Sequence, residues 1–138
     1  MVENKNQCYE LTRMGKIERV YYNCDDSLSG AVTKIILQFE YKFAIITANP
    51  NDDTIILNIT DCCDIEIANI RNDRLDCFFK KLSSREILWS WKLINNQGYE
   101  DAIQLEFLDQ KIGCENNIII QFIAISSCLQ VKVLKEVF

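Results

Sequence analysis

The chain has 138 residues, 49% of them hydrophobic and 25% charged, with a formal net charge of −5. These values predict one folded domain over residues 1–138 and exclude a chain that is disordered throughout. Lysine and arginine are scattered and outnumbered by the acids, so no positive field recruits a phosphate backbone, and nucleic acid is not an expected partner.

Residues 1–10 are polar and lack the apolar stretch of a secretory signal, which predicts a cytoplasmic protein. After Gly15, residues 16–22 mix β-branched and aromatic side chains with charge, as a first strand with one wet face requires. Residues 23–30 are dense in Asn, Asp, Ser and Gly and predict an exposed loop. Over residues 31–39 the side chains of Thr33, Ile35, Leu37 and Phe39 alternate toward one face. A second strand follows at residues 43–48. The only proline, Pro50, sits in a breaker at residues 49–53, and residues 54–60 complete a three-stranded meander. Residues 61–71 suit a short strand or an irregular crossing.

Residues 73–82 change period. Leu75, Phe78, Phe79 and Leu82 recur at helical spacing, with Asn72 or Asp73 placed to cap the start and Lys80 and Lys81 to complement the dipole at the end. Next comes a hairpin whose strands meet across residues 95–101. Strict alternation puts Ile87, Trp89, Trp91 and Leu93 on one face with Ser90 and Lys92 on the other, and Ile103, Leu105 and Phe107 on the matching face of the return strand. Both tryptophans are therefore expected in the core, under the helix. Residues 117–126 and 130–137 read as the last two strands. The fold class that results is α+β: a largely antiparallel, curled sheet of about six to eight strands with one short amphipathic helix packed on it.

The chain contains no histidine, which removes the Ser-His-Asp and Cys-His nucleophiles and every imidazole metal ligand. Its glycines never fall in a phosphate-cradling spacing. The acids at Asp52–Asp53, Asp61, Asp64 and Glu100–Asp101 match no calcium loop and read as turn-forming residues. Seven cysteines (Cys8, Cys24, Cys62, Cys63, Cys77, Cys114 and Cys128) contain no C-x-x-C pair and are expected to be mostly reduced and buried. No cofactor and no metal site is indicated. No apolar run reaches the roughly 20 residues of a spanning helix, so no membrane association is expected. The candidate recognition site is the hairpin turn with Asn95, Gln97, Tyr99 and Asp101, together with Trp89 and Trp91, since Trp and Tyr are enriched where binding energy concentrates.

The string W-x-W-x-L-x-N-x-Q-G-Y-x-D-A-x-Q-L, which runs here from Trp89 to Leu105, resembles the hallmark segment of a small bacterial family of unknown function. In that family the segment follows a helix, and an early strand is similar to Gly15-Lys16-Ile17-Glu18-Arg19-Val20. The resemblance implies one bacterial cytoplasmic domain and carries no activity, cofactor or site residue.

The function class favoured by size, acidity and absent catalytic spacing is a non-enzymatic protein-interaction domain of the immunity or accessory type. Its partner would be a protein. The alternative is a small-molecule-binding domain with an apolar cavity between sheet and helix; a carboxylate-based enzyme is the weakest of the three. An exposed apolar patch would favour the first, a closed cavity the second.

Overall fold

Alternating apolar residues organise this chain into strands whose inward faces share one core. The computed structural model describes residues 8–25, 31–63, 65, 73–98, 100–108 and 117–135. Among the described residues there are eight strands: β1 (Ile17–Asp25), β2 (Ala31–Phe39), β3 (Phe43–Ala48), β4 (Ile55–Thr60), β5 (Glu86–Ile94), β6 (Glu100–Leu108), β7 (Ile118–Ile125) and β8 (Cys128–Lys135). One helix, α1 (Asp73–Lys80), and an N-terminal helical turn ending in the 3-10 segment Leu11–Arg13 complete the described elements.

The strands form two antiparallel meanders, β1 to β4 and β5 to β8, each pairing neighbours in sequence. They join into one curled sheet of order β4-β3-β2-β8-β7-β6-β5, with β1 on the other flank of β2. The join between meanders is thin: β2 meets β8 only at Val32 and Leu129. On the far side Lys16 bridges Glu86, the Ile17 N–H donates to the Arg85 carbonyl at 2.9 Å, and the Ser84 N–H donates to the Ile17 carbonyl at 2.7 Å. These contacts tack β1 to the start of β5, so the sheet curls into a half-barrel.

The concave side is the core. Ile35, Leu37 and Phe39 of β2 face Ile103, Leu105 and Phe107 of β6 and Ile118, Ile120 and Phe122 of β7, all of them buried. Each such side chain contributes about 1.5–3 kcal/mol through removal of apolar surface from water. Nine inward side chains of this size, drawn from three strands, hold the curl closed.

Several expectations change. The molecule is mostly β rather than α+β, because α1 stops at Lys80 after two turns and is too short to form a layer. Its chain continues through hydrogen-bonded turns that carry Leu82 into the core. Nor does α1 cover the tryptophan hairpin. It packs on β1, where the Tyr22 and Phe79 rings lie 5.8 Å apart and the Tyr22 hydroxyl donates to Asp76 Oδ1 at 2.7 Å. β1 also runs on through Asn23 to Asp25, where turn chemistry had predicted a loop, because residues 23–25 pair with the start of β2. Most of the irregular stretch at residues 61–71 lies outside the described residues, as do residues 26–30, Asn72 and Cys114.

The β7–β8 connection is tighter than the sequence suggests. Ser126 and Ser127 form it alone, both with left-handed backbones (φ 51° and 66°), a conformation that usually selects Asn or Gly. The carboxylate of Asp53 holds them there, accepting the Ser126 N–H at 3.1 Å and the Ser127 N–H at 2.8 Å. Asp52 serves its own turn by accepting from the Thr54 N–H and hydroxyl. The two acids are therefore turn-forming groups, and Asp53 links the β3–β4 loop to the β7–β8 hairpin.

Ser127→Gly relieves one left-handed non-glycine residue and should raise stability by about 0.5 kcal/mol after the entropic cost of glycine, whereas Asp53→Ala should lower it by about 1 kcal/mol. Urea unfolding of the two variants beside the parent checks both signs.

Candidate functional site

The pairing register of β5 decides where the tryptophans go. Ile87 sits opposite Phe107, but Trp89 sits opposite Glu106, so Leu88 is an extra residue and the strand carries a β-bulge. One added residue reverses which side chains face inward. Beyond the bulge Ser90 pairs with Leu105 and Lys92 with Ile103 on the core side, while Trp89 and Trp91 pair with Glu106 and Gln104 on the outer side. The tryptophans are thus surface residues, 55% and 39% exposed, with ring centroids 6.4 Å apart. Their expected burial in the core is overturned.

Polar groups turned inward need partners. The Ser90 hydroxyl donates to the Cys8 carbonyl, and the Cys8 thiol lies 3.3 Å from Ser90 Oγ, which docks the N-terminal helical turn against β5. The Lys92 ammonium pairs with Glu100 Oε2 at 3.1 Å, its side chain only 12% exposed. These contacts leave a cleft of about 650 Å³ along β5, between Tyr9 and Thr12 on one bank and Trp89, Trp91, Lys92 and Glu100 on the other. Tyr9, 66% exposed, also borders a second cleft with Glu10, Tyr41 and Lys42, where Lys42 Nζ meets Glu10 Oε1 at 3.1 Å. The result is a band of exposed aromatic rings running from Trp91 past Tyr9 to Tyr41.

The other candidate residues divide. Asn95 and Gln97 build the hairpin turn: Asn95 Oδ1 accepts the Gln97 N–H at 2.9 Å, and the Gly98 N–H donates to the Asn95 carbonyl at 3.0 Å with Gly98 at φ 89°. Asp101 is half-buried at the start of β6, and Tyr99 lies outside the described residues. The turn and the tryptophans do not converge, because Asn95 is four residues beyond Trp91, roughly 13 Å along the strand. Tyr9, Thr12 and the Lys92–Glu100 pair were not singled out by sequence. The available signal was the unbroken run Ile87-Leu88-Trp89, which violates strict alternation and marks the bulge.

A family described as one of unknown function, DUF6334, matches residues 1–138. The chain belongs to this family. The match spans the whole chain and so is not confined to the segment from Trp89 to Leu105. No curated protein and no solved structure matches the chain. Membership in DUF6334 therefore brings no activity with it, and the chemistry of this DUF6334 chain has to be read from its own side chains.

That chemistry is sparse among the described residues, where no group of three or more metal-ligating side chains gathers and no helix is long and apolar enough to cross a membrane. The cysteines are less buried than expected: of the six described, only Cys8 is buried, and Cys62 and Cys77 are exposed. Tyr41 has a raised pKa, because hydrogen bonding to Glu40 favours the neutral phenol and the Glu40 charge opposes the phenolate.

Replacing both tryptophans (Trp89→Ala with Trp91→Ala) should cost less than about 1 kcal/mol, against about 3–5 kcal/mol for Phe122→Ala, as surface and core positions differ. Thermal or urea unfolding separates the two. Glu40→Gln should bring the Tyr41 phenol down toward its ordinary value of 10, followed by the pH dependence of its ring resonances in NMR.

Proposed function

We propose that this protein is a non-enzymatic interaction domain of the immunity or accessory type, working in the bacterial cytoplasm, and that it takes an extended segment of a partner protein alongside β5. The observation that carries this reading is the outward pair Trp89 and Trp91 on the terminal strand of the sheet path. Among the described residues β5 pairs with β6 on one side; on the other its main chain makes one bridge, at Glu86, and its Ser90 side chain holds the N-terminal turn alongside. Main-chain groups along a strand edge can hydrogen-bond an added strand, and alternate side chains then supply specificity. Two adjacent indoles bordering such an edge offer the rigid, low-entropy contact area that dominates binding energy.

The reading with a ligand cavity walled by tryptophans and helix has less support, since α1 packs on β1 and the indoles face solvent.

The test is an affinity capture from the native lysate with the full tagged chain, run beside Trp89→Ser/Trp91→Ser and beside Asn95→Ala/Asp101→Ala. One stoichiometric protein held by the parent and by the turn variant, and lost by the tryptophan variant at an unchanged melting temperature, is the expected outcome. Loss with the turn variant alone moves the site to residues 95–101. No stoichiometric protein with the parent removes the interaction reading.

A further inference from the structure

The thin join between the two meanders, in the middle of the sheet path, opens a groove of its own. After the single pairing of Val32 with Leu129, β8 parts from β2, and α1 lies across the gap. The gap is a groove of about 610 Å³, within the size range of small-molecule sites. Its floor is apolar: Val32 and Phe78 belong to the core cluster, and Leu75, Val131 and Val133 pack against that cluster. Its rim is cationic. Arg74 and Lys81 stand on the helix side, seven residues and therefore about 10 Å apart, and Lys132, which pairs with Gln121 and so points to the opposite face of β8 from Val131 and Val133, meets the rim at the open edge of that strand.

No carboxylate occurs among the described residues that line the groove, although the chain as a whole carries a charge of −5. Neither acid of the helix, Asp73 or Asp76, lines the groove; Asp76 lines a different cleft and accepts the Tyr22 hydroxyl. An apolar trough that leads down to the core, with Arg74 and Lys132 at its rim in an acidic protein, complements a molecule with a hydrocarbon body and an anionic head. We propose that the groove between α1 and β8 binds a single-chain amphipathic carboxylate of the fatty-acid class, its chain against Val32, Phe78, Val131 and Val133 and its carboxylate against Arg74 and Lys132. The proposal is independent of the β5 reading.

The probe is dodecanoate below its micellar concentration, titrated into the full chain by calorimetry, with dodecyltrimethylammonium as the cationic control of equal chain length. One dodecanoate should bind per chain, at least tenfold more tightly than the cation. Arg74→Glu/Lys132→Glu should weaken dodecanoate at least tenfold, with Arg74→Gln/Lys132→Gln as the milder pair should the charge reversal fail to fold, and Trp89→Ser/Trp91→Ser should leave it unchanged. Cys77 is exposed and lines the groove, so bound dodecanoate should slow its alkylation by iodoacetamide while Cys62 reacts as before.

Absence of dodecanoate binding to the parent overturns the proposal. Equal affinity for the two amphiphiles, or undiminished affinity in the folded charge variant, also overturns it. An acidic amphipathic peptide that protects Cys77 where dodecanoate does not would assign the groove to a protein instead.

Discussion

A single extra residue in β5 governs the functional face of this molecule. Strand side chains alternate with period two, so the bulge at Leu88 exchanges the two faces of everything between it and the hairpin turn. Two indoles move to the outside, and a serine and a lysine move to the inside. The inward polar groups would each cost about 1–3 kcal/mol if left without partners. They are satisfied by Cys8 and Glu100, and the first of these contacts fixes the N-terminal turn against the strand. The cleft beside β5 and the position of Tyr9 thus follow from the register of one strand.

The two clefts singled out differ in chemistry. Beside β5, aromatic rings dominate and the charges present are a closed ion pair, so recognition there would be by shape and ring contact. Between α1 and β8, unlike charges are absent from the described lining and the floor is aliphatic with one phenyl ring. Both openings arise where strand pairing ends, one at the terminal strand and the other where β8 leaves β2. Irregularity in hydrogen bonding is what exposes the edge of an otherwise filled core.

Much of this architecture is legible in the amino-acid sequence, and the failures have a common cause. The curled antiparallel sheet, the number of strands and the helical face with Leu75, Phe78 and Phe79 all follow from local periodicity, because each inward residue repeats at a fixed spacing. The bulge breaks that rule: the unbroken run Ile87-Leu88-Trp89 marks its place, but the reversal of faces depends on what lies opposite Leu88, and the expected burial of Trp89 and Trp91 fails with it. The Ser126–Ser127 turn has no local signal for a similar reason: its geometry is held by Asp53, more than seventy residues away. β1 runs past its predicted end because pairing with β2 overrides the turn preference of Asn23 and Asp25. Asn95 and Gln97, read as recognition residues, have a local task in building the turn.

The two meanders also differ from their junction in how they acquire order. Within each, every strand pairs with its successor in the chain, so the loops to be closed are short and the contacts local, the arrangement that favours rapid folding. The junction joins partners distant in sequence through one residue pair at β2 and β8, a few main-chain bonds at β1 and β5, and the Asp53 clamp. Closing those long loops has to await the meanders and is supported by few hydrogen bonds. The half-barrel accordingly has a built-in line of weakness, and amides at Val32, Leu129 and Ile17 are where solvent exchange through local opening should outrun that of the meander interiors.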